Sequence, residues 1–263
     1  MTISLQDRLS SLGFRATSES LDDLVAVATK KRWGLRDTLE HLVELEETDR
    51  ARRGLERRTS RSKLAKFKPI ADFDWNWPKK VDRDLVESVV SLDFLDGARN
   101  VVLVAPVGLG KTMIAQNIVH RAVLAGHTAL FITASELLLD LAGQDSPRAL
   151  ENRLRHYAKI GVLAIDEVGF LPFDSRNADL FFQVVSRRYE RKSVVLTTNL
   201  AFTDWNTVFP NAACATALIE RLVHHSDIIT IEGESYRVRE AEQAAQQRRA
   251  SRRGRDGAAS KRG

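Results

Sequence analysis

The sequence predicts an α/β fold, a parallel five-stranded sheet sandwiched by helices and preceded by a small helical domain. Two observations carry the prediction. Short apolar or β-branched runs, at Val101–Val104, Thr128–Ile132, Val162–Ile165, Val194–Thr197 and Ile228–Ile231, alternate with longer stretches of amphipathic pattern. Strands apolar at nearly every position are buried on both faces, and strands separated by helices run parallel beneath them. A loop carrying Gly108 and Gly110 also leads from the first run straight into a helical run, Met113–Leu124. This is the strand–loop–helix context in which backbone amides gather around phosphate.

The helical domain comes first, at residues 1–67. Within it, residues 18–66 carry a helical period: Leu21, Leu24, Val25 and Ala28 fall at i, i+3, i+4 and i+7, and Leu35, Leu39, Leu42 and Val43 resume the pattern after a break at Gly34. Ser20 with Asp23 three residues on predicts an N-cap and its capping-box acid. The second helix runs into a basic segment. Residues 50–68 hold nine basic side chains (Arg50, Arg52, Arg53, Arg57, Arg58, Arg61, Lys63, Lys66, Lys68) against Glu56 alone.

Residues 68–96 form a linker and lead-in helix. The part from Lys68 to Lys80 has two prolines, Phe73, Trp75 and Trp77, and neither a helical nor a strand period. Packing of these aromatics onto a neighbouring surface is expected, with base stacking by Trp75 and Trp77 as the alternative. The α/β domain occupies 97–239. A polar tail at 240–263, expected to be disordered, carries seven basic residues against Asp256 in its last stretch, 248–263.

Composition removes several classes. Cys214 is the one cysteine, so no intramolecular disulfide forms, and no Cys/His grouping has zinc-site spacing. The N-terminus lacks a signal-peptide pattern, and the apolar runs fall short of the ~20 residues a membrane span needs. A cytoplasmic protein without a membrane partner is expected. The net charge of +5 hides an uneven distribution, because the two basic segments leave the rest of the chain acidic. Such segments suit a polyanion such as nucleic acid, while a solvated helix face and a loose tail are the plainer account.

The chemistry sits at the loop Ala105-Pro106-Val107-Gly108-Leu109-Gly110-Lys111-Thr112. It is a P-loop with Ala105 in place of the first glycine, a substitution that requires no positive φ at that position. Gly108 and Gly110 let the backbone turn its N–H groups inward, and the helix that follows adds its positive end. Lys111 would reach the β- and γ-phosphates of ATP and the Thr112 hydroxyl would ligate Mg²⁺. The third run ends in Asp166-Glu167, about 55 residues after Lys111. Asp166 is expected on Mg²⁺ and Glu167 as the base for the attacking water. The fourth ends at Thr197-Thr198-Asn199, where the amide would hold that water or merely cap a turn.

The P-loop, Asp166-Glu167-Val-Gly-Phe-Leu-Pro, Ala178 to Arg191, Thr197 to Trp205, Ile219-Glu-Arg-Leu-Val-His-His225 and Gly233-Glu-Ser-Tyr-Arg237 occur in order. Together they resemble the IstB-like helper ATPases of bacterial insertion sequences, relatives of the DnaC-type helicase loaders within the AAA+ class. The resemblance runs to about Arg239. It implies an AAA+ P-loop fold, Asn199 as sensor I, and Arg221 as an arginine finger offered to a neighbouring subunit's nucleotide. Without the resemblance, Arg221 would be read as a surface salt bridge.

Only 32 residues follow Ile231, most of them polar, so no full C-terminal lid is expected, and Arg237 and Arg239 are both candidates for sensor II. His224 and His225 are read as structural. Arg187, Arg188 and Arg191 are expected to compensate a helix C-terminus, with contact to DNA or a neighbouring subunit left open. The function implied is an ATPase that oligomerises on duplex DNA without sequence preference and engages a transposase. A helicase loader and a nucleotide-dependent binding module with little turnover are the alternatives.

Overall fold

The computed structural model describes residues 3–170, 172–210 and 212–241, so the basic stretch 248–263 lies outside the described residues. The chain divides into two compact units, Met1–Ser60 and the part from Arg61 onward.

The first unit is helical: α1 (Leu5–Ser11), α2 (Arg15–Glu19), α3 (Leu21–Lys31) and α4 (Leu35–Arg61), the last ending at the boundary. Ser4 caps α1 by accepting from the Asp7 amide at 3.1 Å. Ser20 does not cap α3. Its backbone closes α2, and its hydroxyl donates back to the Ala16 carbonyl at 2.7 Å, so α3 starts on the Ser20 carbonyl alone, which accepts from the Leu24 amide at 2.9 Å. The break between α3 and α4 begins at Arg32, which takes the left-handed φ of 52°.

The predicted apolar stripe is only partly buried. Leu24 is 5% exposed, but Leu35, Leu39 and Val43 are 79, 52 and 48% exposed. The buried contacts are instead polar: Glu46 accepts from the Thr17 amide at 3.0 Å and lies 3.8 Å from Arg50. The basic segment is also partly neutralised along α4. Arg52 and Arg53 both pair with Asp49 at 2.6 Å, and Arg52 also reaches Glu56 at 2.9 Å. Arg57, Arg61, Lys63 and Lys66 are exposed.

The second unit carries α5 (Arg83–Ser91), β1 (Asn100–Val104), α6 (Lys111–Leu124), β2 (Ala129–Thr133), α7 (Ala134–Ala142), α8 (Pro147–Lys159), β3 (Val162–Val168), α9 (Ser175–Arg188), β4 (Val194–Thr198), α10 (Ala212–Val223) and β5 (Ser226–Thr230). The five strands are parallel in the order β2-β3-β4-β1-β5. All five predicted runs are strands, with shifted ends. β5 starts two residues early at polar Ser226 and Asp227, because pairing with β1 begins at Asn100 and Asp227 binds Arg99 at 3.0 Å. β3 runs past the acid pair, with a bulge between Ile165 and Val168.

Helix ends follow local chemistry. Thr133 and Glu136 form a full capping box on α7, Ser146 and Pro147 start α8, and Asp174 caps α9. The edge strand β2 is covered where Phe131 N–H donates to the Ser62 carbonyl at 2.9 Å. The strands place their C-terminal ends along one edge, where open α/β sheets bind ligands. Among the described residues, the chain after β5 offers a helical stretch at 236–241.

Candidate functional site

At the end of β1 the chain turns through the P-loop. Gly108 and Gly110 take φ of +86° and +87°, a region that L side chains rarely adopt. Space closes both positions as well. A Cβ on Gly110 would lie 2.6 Å from the Phe73 ring, and one on Gly108 would run into the Ser235 hydroxyl. Ala105 keeps out of the positive-φ region, and its amide donates to the Thr198 carbonyl at 3.2 Å. The first P-loop position here is therefore still strand-like, and alanine serves there.

Gly110 is also the N-cap of α6, whose first turn holds no acid, so the free amides and the helix dipole face the loop unopposed. Lys111 curls over the loop and donates to the Ala105 and Pro106 carbonyls at 2.6 and 2.9 Å. Burial lowers its pKa and Arg237 lowers it further, while Asp166 and Glu167 pull it up. An anion with several negative oxygens would offset both lowering effects with its own charge.

Thr112 and Asp166 meet across the sheet edge, the hydroxyl donating to the carboxylate at 3.0 Å. A hydroxyl and a carboxylate converging beside an amide-lined loop form an oxygen donor set for a hard divalent cation. The residues present therefore fit Mg²⁺ and a polyphosphate.

Asp166 is 4% exposed and also accepts from the Thr197 hydroxyl of β4, the strand between β1 and β3. That same hydroxyl accepts from the Glu167 amide at 3.0 Å. Glu167 itself takes φ of 61°, within the β3 bulge, and its side chain is exposed. A non-glycine residue held in this region marks strain maintained by its surroundings. Here the bulge turns the second acid of the pair outward. Thr197 was not singled out in the sequence; its signal is a polar residue in a strand buried at all five positions, which must find a partner.

Asn199 is exposed directly after β4. Arg221 lies elsewhere. It folds over the Phe182 ring at 4.6 Å and donates to the Ala217 carbonyl of its own helix at 3.0 Å. The cleft beside the P-loop, about 340 Å³, does not include it among its walls. They come from the P-loop, the linker and the stretch after β5, including Phe73, Trp77, Tyr236 and Arg237.

Arg239 is engaged otherwise, on Asp74 at 3.2 Å and over Trp77 at 4.3 Å, which leaves Arg237 as the arginine lining the cleft. The linker aromatics pack onto the unit as expected. Asn117, a buried residue of α6, holds the linker by accepting from the Ile70 amide and donating to the Lys68 carbonyl at 2.9 and 3.0 Å.

Of the three arginines near the end of α9, Arg191 is exposed and the other two separate in role. Arg187 pairs with Glu151 at 2.7 Å. Arg188 is fully buried and donates to the carbonyls of Tyr157, Ile160, Gly161 and Ser193. It thus satisfies backbone at the end of α8 and before β4, rather than compensating the dipole of its own helix.

The model of the IstB-like ATP binding protein family matches residues 7–244. The ATP-binding protein described for insertion sequence IS21 of Pseudomonas aeruginosa is 36% identical over 240 residues, covering 91% of each chain. That of IS232 from Bacillus thuringiensis subsp. berliner is 32% identical, over 90% of this chain and 94% of its own. Among solved structures, DnaI aligns with a TM-score of 0.50 and 19% identity over 64% of this chain and 89% of its own. The replication initiator DnaA bound to AMPPCP and single-stranded DNA aligns with 0.50 and 16% identity, over 62% and 52%. These two likenesses bear on the fold, that of the AAA+ P-loop proteins.

Proposed function

Because the chain belongs to the IstB-like ATP-binding protein family, we propose that it is the ATP-hydrolysing helper of an insertion sequence, one that assembles on duplex DNA and engages the element's transposase. The observation that carries hydrolysis, beyond binding, is the division of the acid pair. Asp166 is buried against Thr112, while Glu167 is turned out by the β3 bulge with its amide held by Thr197.

In this reading Lys111 leaves the Ala105 and Pro106 carbonyls for the terminal phosphates, and the amides of the P-loop and of α6 hold the rest. Thr112 and Asp166 would hold Mg²⁺, which would supply neutralisation of charge on the phosphoryl oxygens. Glu167 takes the proton of the attacking water, and Asn199 orients that water from the end of β4. Arg237 adds positive charge at the cleft wall. Arg221, outside the walls of its own cleft, is assigned to a neighbouring subunit's nucleotide, so that turnover depends on assembly. Exposed Arg57, Arg61, Lys63 and Lys66 supply sequence-tolerant contact to duplex DNA. The insertion-sequence relatives favour this over helicase loading, since the likeness to DnaI bears on fold alone.

The test is steady-state ATP hydrolysis with and without duplex DNA, in parallel with nucleotide binding. Lys111→Ala should lose nucleotide, whereas Glu167→Gln should bind ATP normally and turn over at least a hundredfold more slowly. Equal loss of binding in both, or no hydrolysis by the folded parent under either condition, would refute the proposal.

A further inference from the structure

Among the described residues outside the nucleotide site, one cluster of metal-ligating side chains gathers where two helices end. Glu190 stands in the turn after α9, and His224 and His225 follow α10. One ligand atom from each lies within 4.8 Å of the others. His224 Nδ1 is 3.9 Å and His225 Nε2 3.7 Å from the same Glu190 carboxylate oxygen. All three side chains are open to solvent.

The backbone is arranged to bring them together. Glu190 takes the left-handed φ of 55° in the turn that closes α9, where the Arg188 carbonyl accepts from the Arg191 and Lys192 amides, both at 2.9 Å. Consecutive residues of a continuing helix would point about 100° apart. Because α10 ends at Val223, the two imidazoles lie on one side, with ring centroids 4.0 Å apart. His225 is anchored through its carbonyl, which accepts from the Asn100 amide at the start of β1 at 2.8 Å. The Tyr189 hydroxyl lies 2.9 Å from His224 Nδ1 and fixes that ring's orientation.

Two imidazole rings and a carboxylate gathered this closely suit a shared cation. We infer that Glu190, His224 and His225 form a binding site for a divalent transition ion of the zinc type. Two imidazole nitrogens and one carboxylate oxygen are the donors of open three-ligand zinc sites. Bond lengths of about 2.0–2.1 Å set donors about 3.4 Å apart in a tetrahedral site. The carboxylate-to-imidazole spacings need to close by about half an ångström, and the imidazole-to-imidazole spacing, within 4.8 Å, by up to about 1.4 Å, a movement that rotation of exposed side chains supplies. Tyr189 yields Nδ1 as the ion enters.

The ion would tie the turn after α9 to the end of α10, three residues beyond Arg221. Metal binding is measured without nucleotide, so its outcome is independent of the role proposed for Arg221.

The experiment is calorimetric titration of the full, tag-free chain with ZnCl₂ in a non-chelating buffer, alongside thermal unfolding. The parent should take up one Zn²⁺ per chain and unfold at a higher temperature with the ion. His224→Ala and His225→Ala should each weaken binding at least tenfold and abolish the thermal shift. Glu190→Gln, an isosteric change that keeps the fold, should weaken it similarly, and His120→Ala should leave it unchanged. A folded parent that binds no stoichiometric Zn²⁺, or a Glu190→Gln variant that binds as tightly as the parent, would overturn the inference.

Discussion

Thr197 holds two acids with one hydroxyl. It donates to Asp166 and accepts from the Glu167 amide, so it fixes the direction of the buried acid and the bulge that turns out the exposed one. In Thr197→Val the shape is kept and both bonds are lost. ATP binding should persist while turnover falls about ten- to hundredfold, as is usual when the partners of metal-binding carboxylates are removed. Unchanged steady-state turnover in a folded Thr197→Val protein would contradict this positioning role. The P-loop, Asp166 and Glu167 were legible in the sequence because each is a fixed pattern at a strand end. Thr197 was not, because its partner lies on another strand and only the sheet order brings the two together.

Helix α8 is held to the rest of its unit from two sides, and each attachment makes a measurable prediction. Burial lowers the Arg188 pKa to about 9, still well above neutrality, so it remains charged among its four carbonyl acceptors. Arg188→Ala takes the guanidinium donors from all four carbonyls, of which Ser193 keeps the Leu163 amide at 3.4 Å, and should cost about 3–5 kcal/mol in chemical denaturation. A cost below about 1 kcal/mol would mean that water replaces the guanidinium.

Glu151 is the second attachment. Its hydrogen bonds to Arg187 first, and then to Arg155, lower its pKa to about 2. A depressed carboxylate pKa stabilises the folded state above the unfolded value, near 4.5, and that contribution is lost as pH falls toward about 2. The stability difference between the parent and Glu151→Gln should therefore be constant near neutrality and shrink between those limits. A difference that does not change with acidification would exclude the pair as its source. The sequence placed Arg187 and Arg188 correctly at a helix end, but could not tell which carbonyls they serve, since Glu151 and Tyr157 approach only through packing of α8 on α9. The Ser20 cap failed for a local reason: the hydroxyl had a closer acceptor in its own preceding turn.

For the whole molecule, charge is more evenly spent than composition suggests. The nine basic residues of 50–68 include Arg50, Arg52 and Arg53, which face Glu46 and Asp49 one turn back, just outside the window that made the segment look unopposed. The duplex-DNA binding proposed for the chain should depend on the exposed remainder. Arg57→Glu and Lys66→Glu should each weaken it about equally for all sequences and reduce the slope of log affinity against log salt by about 1. Loss confined to one DNA sequence would point to base reading instead.

The linker gives the molecule a further property. Trp77 lines the cleft and Trp75 lies 4.7 Å from Phe73, whose ring covers Gly110. Of the four tryptophans in the chain, two therefore stand within one side chain of the P-loop, and a third, Trp205, is sealed in the core. The protein should therefore carry its own optical gauge of cleft filling: emission from the linker pair is expected to change when a nucleotide arrives, against the background of Trp205 and Trp33.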